Sequence, residues 1–130
     1  MSTRATIRFA ERKSGQSFAE QPKEWYAQFY KHSDGYPEGL GLDIANSFFN
    51  GTKLTNWEAE HIDTVHGDIE YMYYIWQAPN KPTFISIFEK QYGRVCELCY
   101  HEHPEKWECI FVGEPSNLIK EYRTQTKNDY

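Results

Sequence analysis

From Thr3 to Phe9 apolar and polar residues alternate without a break: Ala5, Ile7 and Phe9 fall on one side, Arg4, Thr6 and Arg8 on the other. Side chains on a strand repeat every two residues, so this pattern specifies a half-buried strand. Strand-type sequence recurs at Trp25–His32, Trp57–Thr64, Ile69–Ala78, Thr83–Lys90, Arg94–His101 and Trp107–Val112. Pro79-Asn80-Lys81-Pro82 is short enough to join its two neighbours as a hairpin. Helical spacing occurs twice. Glu38–Phe49 carries Leu40, Ile44, Ala45 and Phe48 and stops at Asn50-Gly51, while Pro115–Arg123 starts on proline and carries Leu118, Ile119 and Tyr122.

The order β-β-α-β-β-β-β-β-α predicts an α+β domain: a mainly antiparallel sheet of five to seven strands with two helices packed on one face. At 130 residues a single domain with its own core is expected. Residues 10–24 read as a long surface loop and 124–130 as a frayed tail. With Ala5, Ile7 and Phe9 turned to the helices, the opposite face presents Arg4, Arg8, Tyr26, Gln28, Tyr30 and His32. Tyr and Arg are enriched at interface hot spots and also stack planar ligands. That face therefore reads either as a homodimer interface or as a ligand platform.

Charge narrows the partners. Residues 1–31 hold six Lys/Arg against three acids, residues 32–90 three against nine, and residues 91–130 five against seven, for a net charge of -5. General nucleic-acid binding needs clustered cations that release counterions, and this balance argues against it. The acidic middle suits a cation or a basic partner. No apolar run approaches the roughly 18 residues of a membrane span, and the start leads into strand-like sequence, so the chain reads as cytoplasmic, without a membrane role.

Two polar segments read alike: Tyr30-Lys31-His32-Ser33-Asp34-Gly35-Tyr36-Pro37-Glu38-Gly39 and His66-Gly67-Asp68-Ile69-Glu70-Tyr71. Each places a histidine two residues from an aspartate beside a glycine, near a strand end. His32, Asp34, His66 and Asp68 are sufficient in kind to hold a divalent metal that activates water. The plainer account is that Asp34 and Asp68 shape turns while the histidines hydrogen-bond locally. Walker-type, dinucleotide and nucleophile-elbow motifs are absent.

A third constellation holds all three cysteines, in Cys96-Glu97-Leu98-Cys99-Tyr100-His101-Glu102-His103 followed by Cys109. Cys96, Cys99, His103 and Cys109 supply enough ligands for one tetrahedral structural zinc. On a plain strand, however, Cys96 and Cys99 would face opposite ways, and free cysteine is a common small buried residue. Both readings stay open.

The opening Met1-Ser2-Thr3-Arg4-Ala5-Thr6-Ile7 and the segments Tyr30–Gly39 and His66–Tyr71 resemble a family of small uncharacterised phage, prophage and bacterial proteins. The resemblance implies a setting: a phage-type binding protein that counters host defence by sequestering a nucleotide signal or capping a host protein. For the nucleotide version Arg4 and Arg8 meet the phosphate and Tyr26 or Tyr30 stacks the base, and binding also uses the loop His32–Glu38, with His32, Asp34 and Tyr36. For the protein version the acidic middle opposes a basic host surface. The function expected first is thus non-enzymatic binding by a homo-oligomer. The alternative is a small metal-dependent hydrolase built on His32, Asp34, His66 and Asp68.

Overall fold

The computed structural model describes residues 3–13, 15–51, 57–67, 69–91 and 106–128. Its strands are β1 (Ala5–Ala10), β2 (Ala27–Lys31), β3 (Glu58–Glu60), β4 (Tyr71–Trp76), β5 (Phe84–Gln91) and β6 (Lys106–Gly113). A π-helical turn at Pro37–Gly41 runs into helix α1 (Leu42–Asn50), and helix α2 (Pro115–Asn128) follows β6. The strands form one sheet in the order β3-β2-β1-β4-β5-β6. Every pairing is antiparallel except β1 with β4. The expected α+β class is observed.

Local signals explain where elements stop. Gly51 takes φ 71° and returns its N–H to the Ser47 carbonyl at 3.0 Å, the left-handed cap that the Asn50-Gly51 pair announces. Of the strand expected at Trp57–Thr64 only Glu58–Glu60 pairs, because the chain turns at once, with Thr64 N–H donating to the His61 carbonyl at 3.0 Å. The expected hairpin of β4 and β5 forms around Asn80 at φ 61°. The strand expected at Arg94–His101 lies outside the described residues, as do Cys96, Cys99 and His103.

Because β1 lies parallel to β4, β4 sits inside the sheet and is covered on both faces, as an apolar strand of this kind requires. Tyr73 and Ile75 join Ala5, Ile7, Ile85, Ile87 and Phe111 in one buried cluster. Leu40, Ile44, Ala45, Leu118 and Tyr122, from the π-helical turn and the two helices, belong to the same cluster. Each fully buried aliphatic side chain there contributes on the order of 1.5–3 kcal/mol.

Met72, Tyr74 and Trp76 point the other way, into a second cluster with Ala10, Tyr30, Ile69 and Phe88. Here the structure corrects the expectation of an open basic and phenolic face, since the segment between β1 and β2 lies over part of it. Phe18 stacks on Phe84, with centroids 4.6 Å apart, and meets Trp76 edge-on at 5.4 Å. The Phe18 carbonyl accepts from Ser86 Oγ at 2.6 Å, and Ser86 Oγ accepts from Trp76 Nε1 at 2.8 Å. Gln21 Oε1 accepts from the Tyr74 hydroxyl at 2.8 Å. The segment has loop backbone but buries aromatic surface; Gln28 and Tyr30, expected exposed, are 2% and 5% accessible, Gln28 bonded to Arg8, Glu60 and Thr64 and Tyr30 covered by His66.

Candidate ligand-binding site

The polar site grows from Arg8 on β1. Its guanidinium lies 3.7 Å from the centre of the Trp25 ring, a cation–π contact worth about 0.5–2 kcal/mol. Trp25 is held in turn by its indole N–H, which donates to the Ile62 carbonyl at 3.0 Å. Arg8 Nε donates to Gln28 Oε1 at 2.9 Å and one terminal nitrogen donates to the Tyr74 hydroxyl at 2.8 Å. Burial raises the Tyr74 pKa despite the opposing pull of Arg8, so that hydroxyl stays neutral. The half-buried cation is therefore held by two neutral acceptors, and no described carboxylate lies within ion-pairing distance of it. Of its five N–H donors, those remaining are open to a ligand.

Gln28 passes the contact onward. Its amide nitrogen donates to Glu60 Oε2 at 2.6 Å and to the Thr64 carbonyl at 2.8 Å. Glu60 also accepts from His66 Nε2 at 2.8 Å, and the His66 ring stacks on Tyr30 with centroids 3.9 Å apart and planes at 19°. His32 meets the same Tyr30 ring edge-on at 4.6 Å and places its Nε2 2.9 Å from Glu58 Oε1. The two polar segments of the sequence thus converge on Tyr30. Each histidine, however, is engaged by a glutamate of β3 rather than by an aspartate.

A cleft of about 390 Å³ opens beside this network, lined by Thr6, Arg8, Gln21, His66, Lys90 and Trp107 among others. Lys90 Nζ donates to the Gly67 carbonyl at 3.2 Å and lies 6.0 Å from the centre of the Trp107 ring. No described residue lining the cleft is a carboxylate.

The other residues singled out in the sequence take different places. Arg4 is absent from the cleft lining; its carbonyl accepts from the Glu70 N–H at 2.9 Å where β1 meets β4. Tyr26 packs its ring 6.4 Å from Phe9, a residue of the helix-side core, and is corrected as a partner of Arg8. Tyr30 belongs to the site but, buried under His66, cannot stack a base as expected. Asp34 adopts φ 57° and accepts from the Tyr36 hydroxyl at 3.4 Å, while its carbonyl accepts from the Leu40 N–H at 3.0 Å. It shapes the turn, and its carboxylate raises the Tyr36 pKa. Asp68 lies outside the described residues. Cys109 packs against the second cluster, where burial raises its thiol pKa. Among the described residues no three His, Cys, Asp or Glu side chains gather as metal ligands.

Sequence reasoning missed Glu58, Glu60, Lys90, Trp107 and Trp25. One signal was available: glutamates two apart on a strand share a face. The pairing of Gln28 with Glu60 and Tyr30 with Glu58 then sets them against the two histidines.

Fold and site together define an α+β domain with a mixed six-stranded sheet, bearing a cationic cleft on the face opposite its helix-side core. Comparison with family models, curated proteins and solved structures finds no match.

Proposed function

We propose that this chain is a non-enzymatic binding protein that takes a small phosphate-bearing ligand into the Arg8 cleft. The observation that carries the reading is Arg8 itself, a half-buried guanidinium fixed by Trp25, Gln28 and Tyr74, none of which carries a compensating charge. A cation withdrawn from water without a counter-charge is unfavourable, and an oxyanion arriving at its spare donors relieves that penalty. Arginine is suited to this because its planar fork meets two phosphate oxygens at once. Lys90 adds a second cation to the cleft and Trp107 an aromatic wall.

His66, which lines the cleft, is bonded to Glu60, and the reading as a binder rests on Arg8 rather than on this pair. In the phage setting implied by the Tyr30–Gly39 and His66–Tyr71 segments, the ligand is a nucleotide signal that the protein withholds from host defence. Self-association remains part of the proposal, on a different surface from the covered one. Tyr26, 56% exposed, flanks Phe9, Phe29 and Trp57, whose rings form a partly exposed aromatic row. Light scattering tests this, and a monomer at every concentration removes it.

The test of ligand binding is a thermal-shift screen with inorganic phosphate, pyrophosphate and linear and cyclic nucleotides. A saturable rise in Tm is expected for at least one of them, lost in Arg8→Met and weakened in Lys90→Met. A flat response to every anion overturns the proposal.

A further inference from the structure

A second and larger hollow, of about 460 Å³, lies away from Arg8, where the segment after β1 crosses the ends of β4 and β5. Phe18, Trp76 and Phe84 contribute aromatic surface, and Arg12, Lys13 and Lys81 contribute cations. The floor is fixed. Phe18 lies nearly parallel to Phe84, at 24°, and is tied to the sheet through Ser86 and Trp76.

The cations are unequal. Lys13 Nζ is paired with Glu24 at 2.5 Å, which lowers the Glu24 pKa. Arg12 rests 4.9 Å from the Phe18 ring centre and donates to the Gln16 carbonyl, and neither it nor Lys81 ion-pairs with a described carboxylate. No described carboxylate lines the hollow, although the chain carries a net charge of -5. A concave, cation-bearing spot in an acidic protein is a local departure that overall charge does not explain. Its volume falls within the range of about 300–1,000 Å³ typical of small-molecule sites.

We propose that this hollow is a ligand site separate from the Arg8 cleft, selective for a planar aromatic ring bearing one anionic group, of which a nucleoside monophosphate is the type. The ring packs on the aromatic surface that Phe18, Trp76 and Phe84 give the hollow, and the anion lies between Arg12 and Lys81. Each half contributes, so the ring without the charge and the charge without the ring bind poorly.

The experiment titrates the full chain with adenosine 5′-monophosphate, adenosine and inorganic phosphate by calorimetry. The expected result is binding of the monophosphate at least ten-fold tighter than of adenosine or phosphate at this site. That binding falls at least ten-fold in Arg12→Met/Lys81→Met and is unchanged in Arg8→Met. Both substituted side chains are exposed, and an unchanged Tm in the double variant verifies the fold. No binding of the monophosphate, equal binding in the double variant, or loss confined to Arg8→Met each overturns the second site. None of these removes the Arg8 cleft, which falls only if no anion at all gives a response that Arg8→Met abolishes.

Discussion

The imidazole of His66 lies flat on the ring of Tyr30, 3.9 Å between centroids, and this one stack joins two segments of similar sequence that are 36 residues apart in the chain. Glu60 holds the imidazole from one side and Gln28 holds Glu60, so the stack ends in a bonded path to Arg8. The cleft is built on this path, which leads to the first prediction.

Gln28 is 2% accessible and uses its amide oxygen and its amide nitrogen within the network. Gln28→Leu leaves Arg8, Glu60 and the Thr64 carbonyl each short of a partner, and a stranded buried polar group costs about 1–3 kcal/mol. A urea titration should show a loss of at least that size. A change within about 0.5 kcal/mol, the usual scatter of surface substitutions, would contradict the network.

The turn that presents His32 depends on a close approach of backbones. A Cβ on Gly35 would lie 2.8 Å from Ala5 Cβ and 3.1 Å from the Thr3 carbonyl, and the Gly35 carbonyl already accepts from the Tyr73 hydroxyl at 2.7 Å. Gly35→Ala should therefore destabilise by about 1–3 kcal/mol through overpacking. Gly67 has open space around it, so Gly67→Ala should be neutral or stabilise by up to about 1 kcal/mol. The reverse ranking in paired denaturation curves would be inconsistent with the described turn.

Phe18 anchors the segment that covers the second face. Phe18→Ala removes its contacts with Trp76 and Phe84, at a cost of about 3–5 kcal/mol for a fully buried ring and less for this partly exposed one. Limited proteolysis should then cut between residues 11 and 24 faster than in the wild type. Unchanged cleavage would show that the segment holds without its anchor.

Alkaline stability follows from three tyrosines. Burial is the first cause in each: it drives Tyr122 up to about 12, raises Tyr71 further, and raises Tyr73 well above its ordinary value. A group whose folded pKa is raised favours the fold while protonated. This contribution is complete below the unfolded value near 10, and for Tyr122 it is lost as pH climbs from about 10 to about 12. Phenolate absorbance should show these tyrosines ionising late, together with loss of the circular dichroism of the fold. Complete ionisation near pH 10 with the fold intact would refute the burial.

What could be read from residues alone was whatever repeats locally. The alternation of Thr3–Phe9 shows where β1 lies, the Asn50-Gly51 pair marks the end of α1, and Pro115 marks the start of α2. The parallel contact of β1 with β4 was not readable, because it joins strands separated by β2, α1 and β3 and no turn motif announces it. Phe18 sits in a polar stretch without periodicity, so nothing marked it as cover for the second face, while Trp25 falls at the head of the expected strand Trp25–His32 but precedes β2, which starts at Ala27, and packs on the second cluster. The two histidines meet on the Tyr30 ring. Their glutamate partners depend on the register of β2 with β3, a three-residue pairing beyond the reach of local patterns.

Arg8 as a receptor for an anion is the central claim, and the side-chain resonances of the protein report on it most directly. Titration of inorganic phosphate into ¹⁵N-labelled protein should move the Arg8 Nε–H and Trp107 indole signals together along one saturable curve. Signals of Arg8 and Trp107 that stay fixed with phosphate, pyrophosphate and nucleotides alike would contradict it.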